Sequence, residues 1–264
     1  FCFSRYTKGD MKSAAVLFLV INCLSRCWAC NLGPQHSGAT QIDAGQGQVV
    51  MRNDKSEVFV LSGSTWIRLG SVPIKHVSVG PAGIWGVDSS DNVYKYGGSD
   101  FLLSQGQSLH QVDAGGQDQI VGVTSSSTVH CLSSTVASGF KQGDSLSWTT
   151  FPGALMYISC SSHGCWGVNS GKEIYFTMPD SCQMKAWTRV TGGTNMVEVG
   201  TDGTVFVVGN GYIYQRTGIS ADVPHGTGWY HIPMSKTVKH ASYDLGNLWL
   251  VLNGGIIMKC IQTH

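Results

Sequence analysis

One frame recurs six times along this chain, and no other feature restricts its fold so tightly. Around Trp85 an apolar residue stands eight places earlier, Val77, and another eight places later, Val93. The same frame fits Ile158, Trp166 and Ile174, and again Ala241, Trp249 and Ile257. More worn copies run through Ile42, Val50 and Val58, through Val197, Val205 and Ile213, and through Val112, Val121 and Val129, where the first gap is nine. The first anchors lie 35, 35, 46, 39 and 44 residues apart. A large apolar residue precedes each of them by ten to twelve places: Leu32, Trp66, Phe101, Trp148, Trp187 and Trp229.

Each unit therefore holds four short apolar runs. In the second unit these are WIRL (Trp66 to Leu69), HVSVG (His76 to Gly80), IWGV (Ile84 to Val87) and VYKY (Val93 to Tyr96), with the turn cluster DSSDN before the last. Alternation with period two reads as strand, and Asp, Ser and Asn are turn formers. No stretch after the N-terminal segment sustains a helical period. Only 12% of residues are charged, against 34 Gly and 8 Trp, which suits many short strands and turns. Four strands per unit, six units and an unmet need to bury both faces of each unit predict an all-β, six-bladed β-propeller. The Leu32 segment then supplies the outer strand of blade six, so that N- and C-terminal strands share one blade. The third-run tryptophans become wedges between blades.

The N-terminus reads differently. Met11 and Lys12 precede an apolar run from Ala14 to Leu24, and Cys27 and Ala29 occupy the small-residue places of a signal cleavage site. Residues 1–29 are expected to be upstream residues and a cleaved secretory signal, and residues 30–264 a single propeller domain, secreted and without a membrane span. Six cysteines then remain, which in an oxidising compartment favours disulfides over metal thiolates. They allow 15 arrangements. The propeller frame points to Cys30–Cys260 across the ring closure, Cys160–Cys165 across a hairpin turn, and Cys131–Cys182 by elimination.

The unit W-x10-V-S-V-G-x3-(I/C)-W-G-V-(D/N), followed by (V/I)-Y, resembles the tectonin repeat over essentially all of residues 30–264. Units one and three depart from it, with Val50 and Val121 in place of the third-run Trp. The resemblance implies a lectin of innate defence that binds N-acetylglucosamine-containing or bacterial surface glycans, on microbes or on eggs. Dimerisation to a homodimer would double its valency. Two other readings stand beside this one: a protein-interaction propeller without glycan specificity, and a glycan hydrolase using a carboxylate pair such as Asp43 and Asp113.

Motif by motif, the chemistry of an enzyme is missing. There is no G-x-S-x-G, no H-E-x-x-H and no G-x-x-x-x-G-K, so catalysis is not expected and no cofactor is required. With 17 basic against 16 acidic residues the chain offers no footprint for nucleic acid. Just after the first anchors stand Asp43, Ser78, Asp113, Ser159, Glu198 and Ser242, a polar ring lining the tunnel. Such a ring can satisfy backbone amides of neighbouring inner strands. It can also take saccharide hydroxyls or a hard cation such as calcium. On the face where the outer-to-inner connections emerge, the candidate carbohydrate-binding residues are His76, Asp88, Asp91, Asn92, His110, Tyr157, Asn169, Asn195, His240 and Asn253.

Overall fold

The structure is a computed structural model describing residues 27–263. Six four-stranded antiparallel sheets form the blades of a propeller. Their innermost strands are Ala39–Gly45, His76–Gly80, Gln111–Asp113, Tyr157–Ser161, Met196–Val199 and Val238–Asp244. Every first anchor read from the repeat lies on one of these strands. Blade six is completed by Cys27–Leu32, which pairs with Ile257–Thr263 in the register Cys30↔Cys260. Ring closure by the two ends of the chain is thus as expected, and a disulfide joins those two residues. The other bridges are Cys131–Cys182 and Cys160–Cys165.

The core is divided among the blade interfaces. Trp85 packs with Leu109, Val112, Ile120 and Leu132 of blade three. Trp166 packs with Val197, Val199, Val205 and Val207 of blade five, and Trp249 with Ile42, Ala44 and Met51 of blade one. These tryptophans are the wedges the repeat implied, almost wholly removed from water. Their burial is driven by apolar area, of the order of 4 to 6 kcal/mol per indole before entropy. The leading tryptophans do a second job at the rim, where the indole N–H of Trp66 donates to Pro34 O, that of Trp187 to Pro152 O and that of Trp229 to Thr191 O. Each bond ties an outer strand to the preceding blade.

Three spacings exceed 35 residues, and the surplus sits in one kind of place, the connection from third to outer strand. Blade three carries there the helix Ser134–Gly139, capped by the Ser133 side chain. Blade four carries a short hairpin, Pro179–Asp180 with Gln183–Met184, next to Cys182. Blade five carries a loop pinned by Arg216, whose guanidinium donates to the carbonyls of His225, Gly226 and Gly228. Among the described residues the helix is the one departure from the all-β expectation, too short for a periodic signal to reveal it. No helix among the described residues is long and apolar enough to cross a membrane.

The first unit needs one correction. Leu32, assigned by spacing to the leading apolar place, is 70% exposed. Trp28 takes that place instead, packed edge-on against Phe206 and Tyr243 with its indole N–H on Gln215 Oε1 at 3.1 Å. The link from outer to inner strand is longer here, which moves the anchor out of the window of ten to twelve residues. Most of the expected signal segment lies outside the described residues, but the expected cut after Ala29 falls within the outer strand of blade six.

Candidate functional site

Two layers of side chains point into the tunnel, because alternate residues of each inner strand face the same way. The layer one residue after the anchors holds the polar ring. Val79 N–H donates to Asp43, Ala114 N–H to Ser78, Cys160 N–H to Asp113, Val199 N–H to Ser159 and Ala44 N–H to Ser242. Each of these side chains thus accepts from the next blade, pairing inner-strand amides that no neighbouring strand satisfies. Glu198, one carbon longer, accepts instead from the Ser242 hydroxyl, which also bonds Asp43. The ring is therefore a device for joining blades. The space left among Asp43, Asp113 and Glu198 measures about 10 Å³, room for one water at most.

Three buried carboxylates that close cannot all be charged. Burial pushes the Asp43 carboxyl up. Burial first, and then the neighbouring Asp43 charge, push Asp113 up to about 8, and the same two causes lift Glu198 well above its usual range. A group whose pKa is raised in the fold keeps a proton that the unfolded chain releases, so its stabilisation is complete below about pH 4 and is lost as pH rises through the folded value. Buried imidazoles have the opposite sign, and His240, pushed down to about 3 chiefly by burial, favours the fold increasingly up to about pH 6.5. By about pH 7.5 the unfolded imidazoles are nearly all neutral, so towards pH 8 the carboxylates dominate the slope. Stability is expected to fall as pH approaches 8, by about 1.4 kcal/mol per proton and pH unit, and the melting temperature with it. Asp113→Asn, which keeps an acceptor for Cys160 N–H, is expected to flatten the slope and to raise the melting temperature at pH 8. Scanning calorimetry of both proteins from about pH 7 to about pH 8 checks this.

The layer one residue before the anchors contains Gln41, His76, Gln111, Tyr157, Met196 and His240. Gln41 clamps blade two by bonding Val77 O at 2.7 Å and Val77 N at 3.0 Å, and Gln111 clamps blade four at Ile158 in the same way. His76, Tyr157 and His240, from alternate blades, meet at the axis. The Tyr157 hydroxyl lies 3.4 Å from His76 Nε2 and 3.2 Å from His240 Nε2, closing one mouth of the tunnel. The two glutamines were not singled out from sequence, although both stand at a fixed offset from an anchor.

Beside that plug, a groove of about 380 Å³ runs between blades five and six. Tyr157 and His240 form its inner end, and Asn195, Asn210, Lys239 and Asn253 line it. Four of the ten candidate carbohydrate residues, Tyr157, Asn195, His240 and Asn253, are thereby gathered in one place. Beyond Asn210 a second cleft of about 240 Å³ opens against Tyr212, Tyr214 and Trp229, over a floor that includes Gly192, Gly193 and Gly209. Asn210 and Gly211 both have positive φ, 53° and 83°, the conformation of a tight Asn-Gly hairpin turn. The turn holds Asn210 on the ridge between the two clefts. Alternating tyrosines after an Asn-Gly turn were a usable sign of this platform, though the repeat frame drew attention elsewhere.

The remaining candidates are not brought there. Asp88 accepts from Ser90 N–H, Asn92 N–H, the Asn92 amide and the Tyr94 hydroxyl, so the DSSDN turn is a closed local unit. Asn169 makes the equivalent turn with Glu173. Asp91 pairs with Lys75, and His110 stands 3.3 Å from Lys75 Nζ, bridging blades two and three. Among the described residues no three His, Cys, Asp or Glu side chains gather as a metal site.

Known proteins resemble the chain as a whole. A tectonin domain model matches residues 38–253. The fish-egg lectin of Cyprinus carpio is 40% identical over 229 residues, covering 84% of this chain and 95% of that protein. Among solved structures, YCF48 from Cyanidioschyzon merolae aligns with a TM-score of 0.53 at 14% identity, over 89% of this chain and 85% of its own. A gluconolactonase from Xanthomonas campestris aligns with a TM-score of 0.63 at 10% identity, over 89% of both chains. At such identities the two structures speak for the fold alone.

Proposed function

The chain belongs to the tectonin family, and from that premise we propose that it is a secreted lectin without catalytic activity, binding glycans on microbial or egg surfaces in innate defence. The observation that carries this reading is the pair of clefts meeting at Asn210. Sugar rings present apolar C–H faces and planar sets of hydroxyls. Tyr212, Tyr214 and Trp229 offer aromatic surface for the first, and the amides of Asn195, Asn210 and Asn253 offer a donor and an acceptor each for the second. Two adjoining clefts suit an oligosaccharide of two or more units, and N-acetylglucosamine-bearing chains fit a site that combines amides with aromatic faces. The three disulfides suit an extracellular location.

A single shallow sugar site of millimolar strength is worth only about −4 kcal/mol. Useful affinity for a cell wall comes from several sites on one rigid body, which multiplies binding by about 10² to 10⁴. The test is a glycan array probed with wild-type protein and with Tyr212→Ala. Tyr212 is 54% exposed, so its removal leaves the fold intact. Binding to the recognised glycans is expected to drop at least about tenfold with an unchanged melting temperature, a loss of the order of 1.4 kcal/mol. A blank array for the wild type sinks the lectin reading, and equal binding by the variant moves the site elsewhere.

A further inference from the structure

On the face opposite the proposed sugar clefts, a groove of about 240 Å³ runs between blades six and one. The clefts lie where inner strands begin, whereas this groove is lined by Asp244 and Leu245 at the end of one inner strand and by Gly47 and Gln48 just past the end of the next. It opens over the third wedge. Lys259 pairs with Trp249 across the sheet and sets its ammonium 5.3 Å from the indole centroid. The other two wedges carry a cation as well, and there the chain itself supplies what the cation binds. Lys95, 5.6 Å from the Trp85 ring, donates to the carbonyls of Ala137 and Ser138 in the blade-three helix, and Phe140 lies against the same indole. Arg216, 5.9 Å from the Trp166 ring and 4.7 Å from that of Trp229, donates to three carbonyls of its own loop. Those covers are the connections 134–148 of blade three and 218–227 of blade five. In blade one the corresponding connection is only Gly63 and Ser64, so no cover reaches Trp249, and no acceptor among the described residues engages Lys259.

A second observation points to the same place. Leu245 and Gly246 form a two-residue hairpin turn between Asp244 and Asn247, with φ of 48° and 77°. Asn-Gly is the usual occupant of such a turn, and a left-handed backbone disfavours Leu. The chain nevertheless keeps Leu245 there, with its side chain 71% exposed at the rim of the groove. Ile261, also exposed, follows Lys259 by two residues on the same face of its strand and pairs with Asn247 of the groove wall. Backbone strain and exposed apolar surface are thus concentrated around an ammonium without an acceptor.

We propose that this groove docks a partner protein through a helix end or tight turn, whose unpaired backbone carbonyls accept from Lys259 while an apolar side chain packs against Leu61, Leu245 and Ile261. The two covered wedges supply the pattern, since in both of them polypeptide carbonyls meet the cation. Charge favours a neutral acceptor. Asp244, the other charged side chain lining the groove, accepts from Gly47 N–H and from the Thr201 hydroxyl and offsets the ammonium. Carbonyls at the negative end of a helix dipole therefore suit the site better than a carboxylate. A sugar ring fits poorly, because Trp249 is only 5% exposed and lies under Lys259, with no open aromatic face of the kind Tyr212 offers. Glycan and partner are then held on opposite faces, and the propeller joins one to the other.

The test uses the whole secreted protein, labelled with ¹⁵N, and as probe a helix-constrained synthetic peptide with the sequence of Ser133 to Phe140, the segment that covers Trp85. Two variants accompany the wild type. Lys259→Met keeps an apolar stem over the indole and removes the ammonium, and Leu245→Asn relieves the turn. The expected result is saturable binding of millimolar or tighter affinity, with amide shifts confined to the Leu245 turn, Trp249 and Lys259, and at least about tenfold weaker binding by each variant. Leu245→Asn is also expected to raise the melting temperature, which sets a docking role apart from a packing role. No saturable binding by the wild type overturns the proposal, and so does unchanged affinity in either variant. A lower melting temperature for Leu245→Asn makes Leu245 a packing residue and overturns it as well. Shifts in the groove on titration with N-acetylglucosamine oligomers assign it to a sugar instead, and a wild-type dimer that Leu245→Asn dissolves in sedimentation assigns it to a second copy; either result overturns the proposal. Tyr212 lies on the other face, so none of these outcomes decides whether the sugar clefts bind glycan.

Discussion

Gly80→Ala is expected to cost at least about 3 kcal/mol, and more if the inner strands cannot part. A Cβ at Gly80 would sit 1.7 Å from the Ala114 carbonyl oxygen of blade three, a distance at which backbone has to move. Equivalent positions show the same constraint: a Cβ at Gly45 would meet Val79 O at 2.4 Å, and one at Gly115 would meet Cys160 O at 2.5 Å. These glycines stand three residues after their anchors, where the inner strands converge around the tunnel. The loss is a large share of a domain's usual 5 to 15 kcal/mol, so the variant should show a much lower midpoint in urea. Gly139→Ala supplies the control, since a Cβ there meets nothing within 4 Å, and its midpoint should move by no more than about 0.5 kcal/mol.

Removal of Trp28 is the second change expected to weigh heavily. Trp28 is the leading aromatic of the closing blade, in contact with Phe206 and Tyr243 of the interface between blades five and six. Its loss leaves that interface open and Gln215 Oε1 without the indole donor. Trp28→Ala should cost about 3 kcal/mol, the lower end for a large aromatic because the indole is only half-buried. A protein starting at Cys30 should lose about as much while keeping the Cys30–Cys260 bridge. Sequencing the N-terminus of secreted protein is expected to find Trp28 retained, with cleavage ahead of it. A secreted chain that starts at Cys30 and melts like the longer one would count against this account.

What was legible in the sequence follows from periodicity. A propeller blade repeats one hydrogen-bonded unit, and each unit has to present the same apolar residues to its neighbours, so Val77, Ile158 and Ala241 could be aligned without any coordinates. Cys30 and Cys260 could be paired for the same reason, because a ring has to bring its ends together. The polar ring of Asp43, Ser78, Asp113, Ser159, Glu198 and Ser242 was visible as a fixed offset, and its role in pairing backbone amides follows from the geometry of inner strands.

The candidate site was less legible, for a physical reason. Polar turn residues such as Asp88 and Asn169 look alike in sequence whether they face a ligand or their own backbone. The side-chain bonds that commit them to local turns exist only once the hairpin is closed. In the same way, Trp28 and Leu32 differ by four positions, and only the length of the connection to the inner strand decides which one reaches the core. The sequence by itself determined the number of blades, the closing strand, the disulfide pairs and the wedging tryptophans, since all of these are consequences of a repeat and of burial. Only the tertiary structure decided that Asn195, Asn210 and Asn253 share one groove and that His76, Tyr157 and His240 meet at the axis. The groove lies between two neighbouring blades and the plug draws on alternate ones, and the distances in both are set by how the blades pack around the ring, which no local pattern encodes.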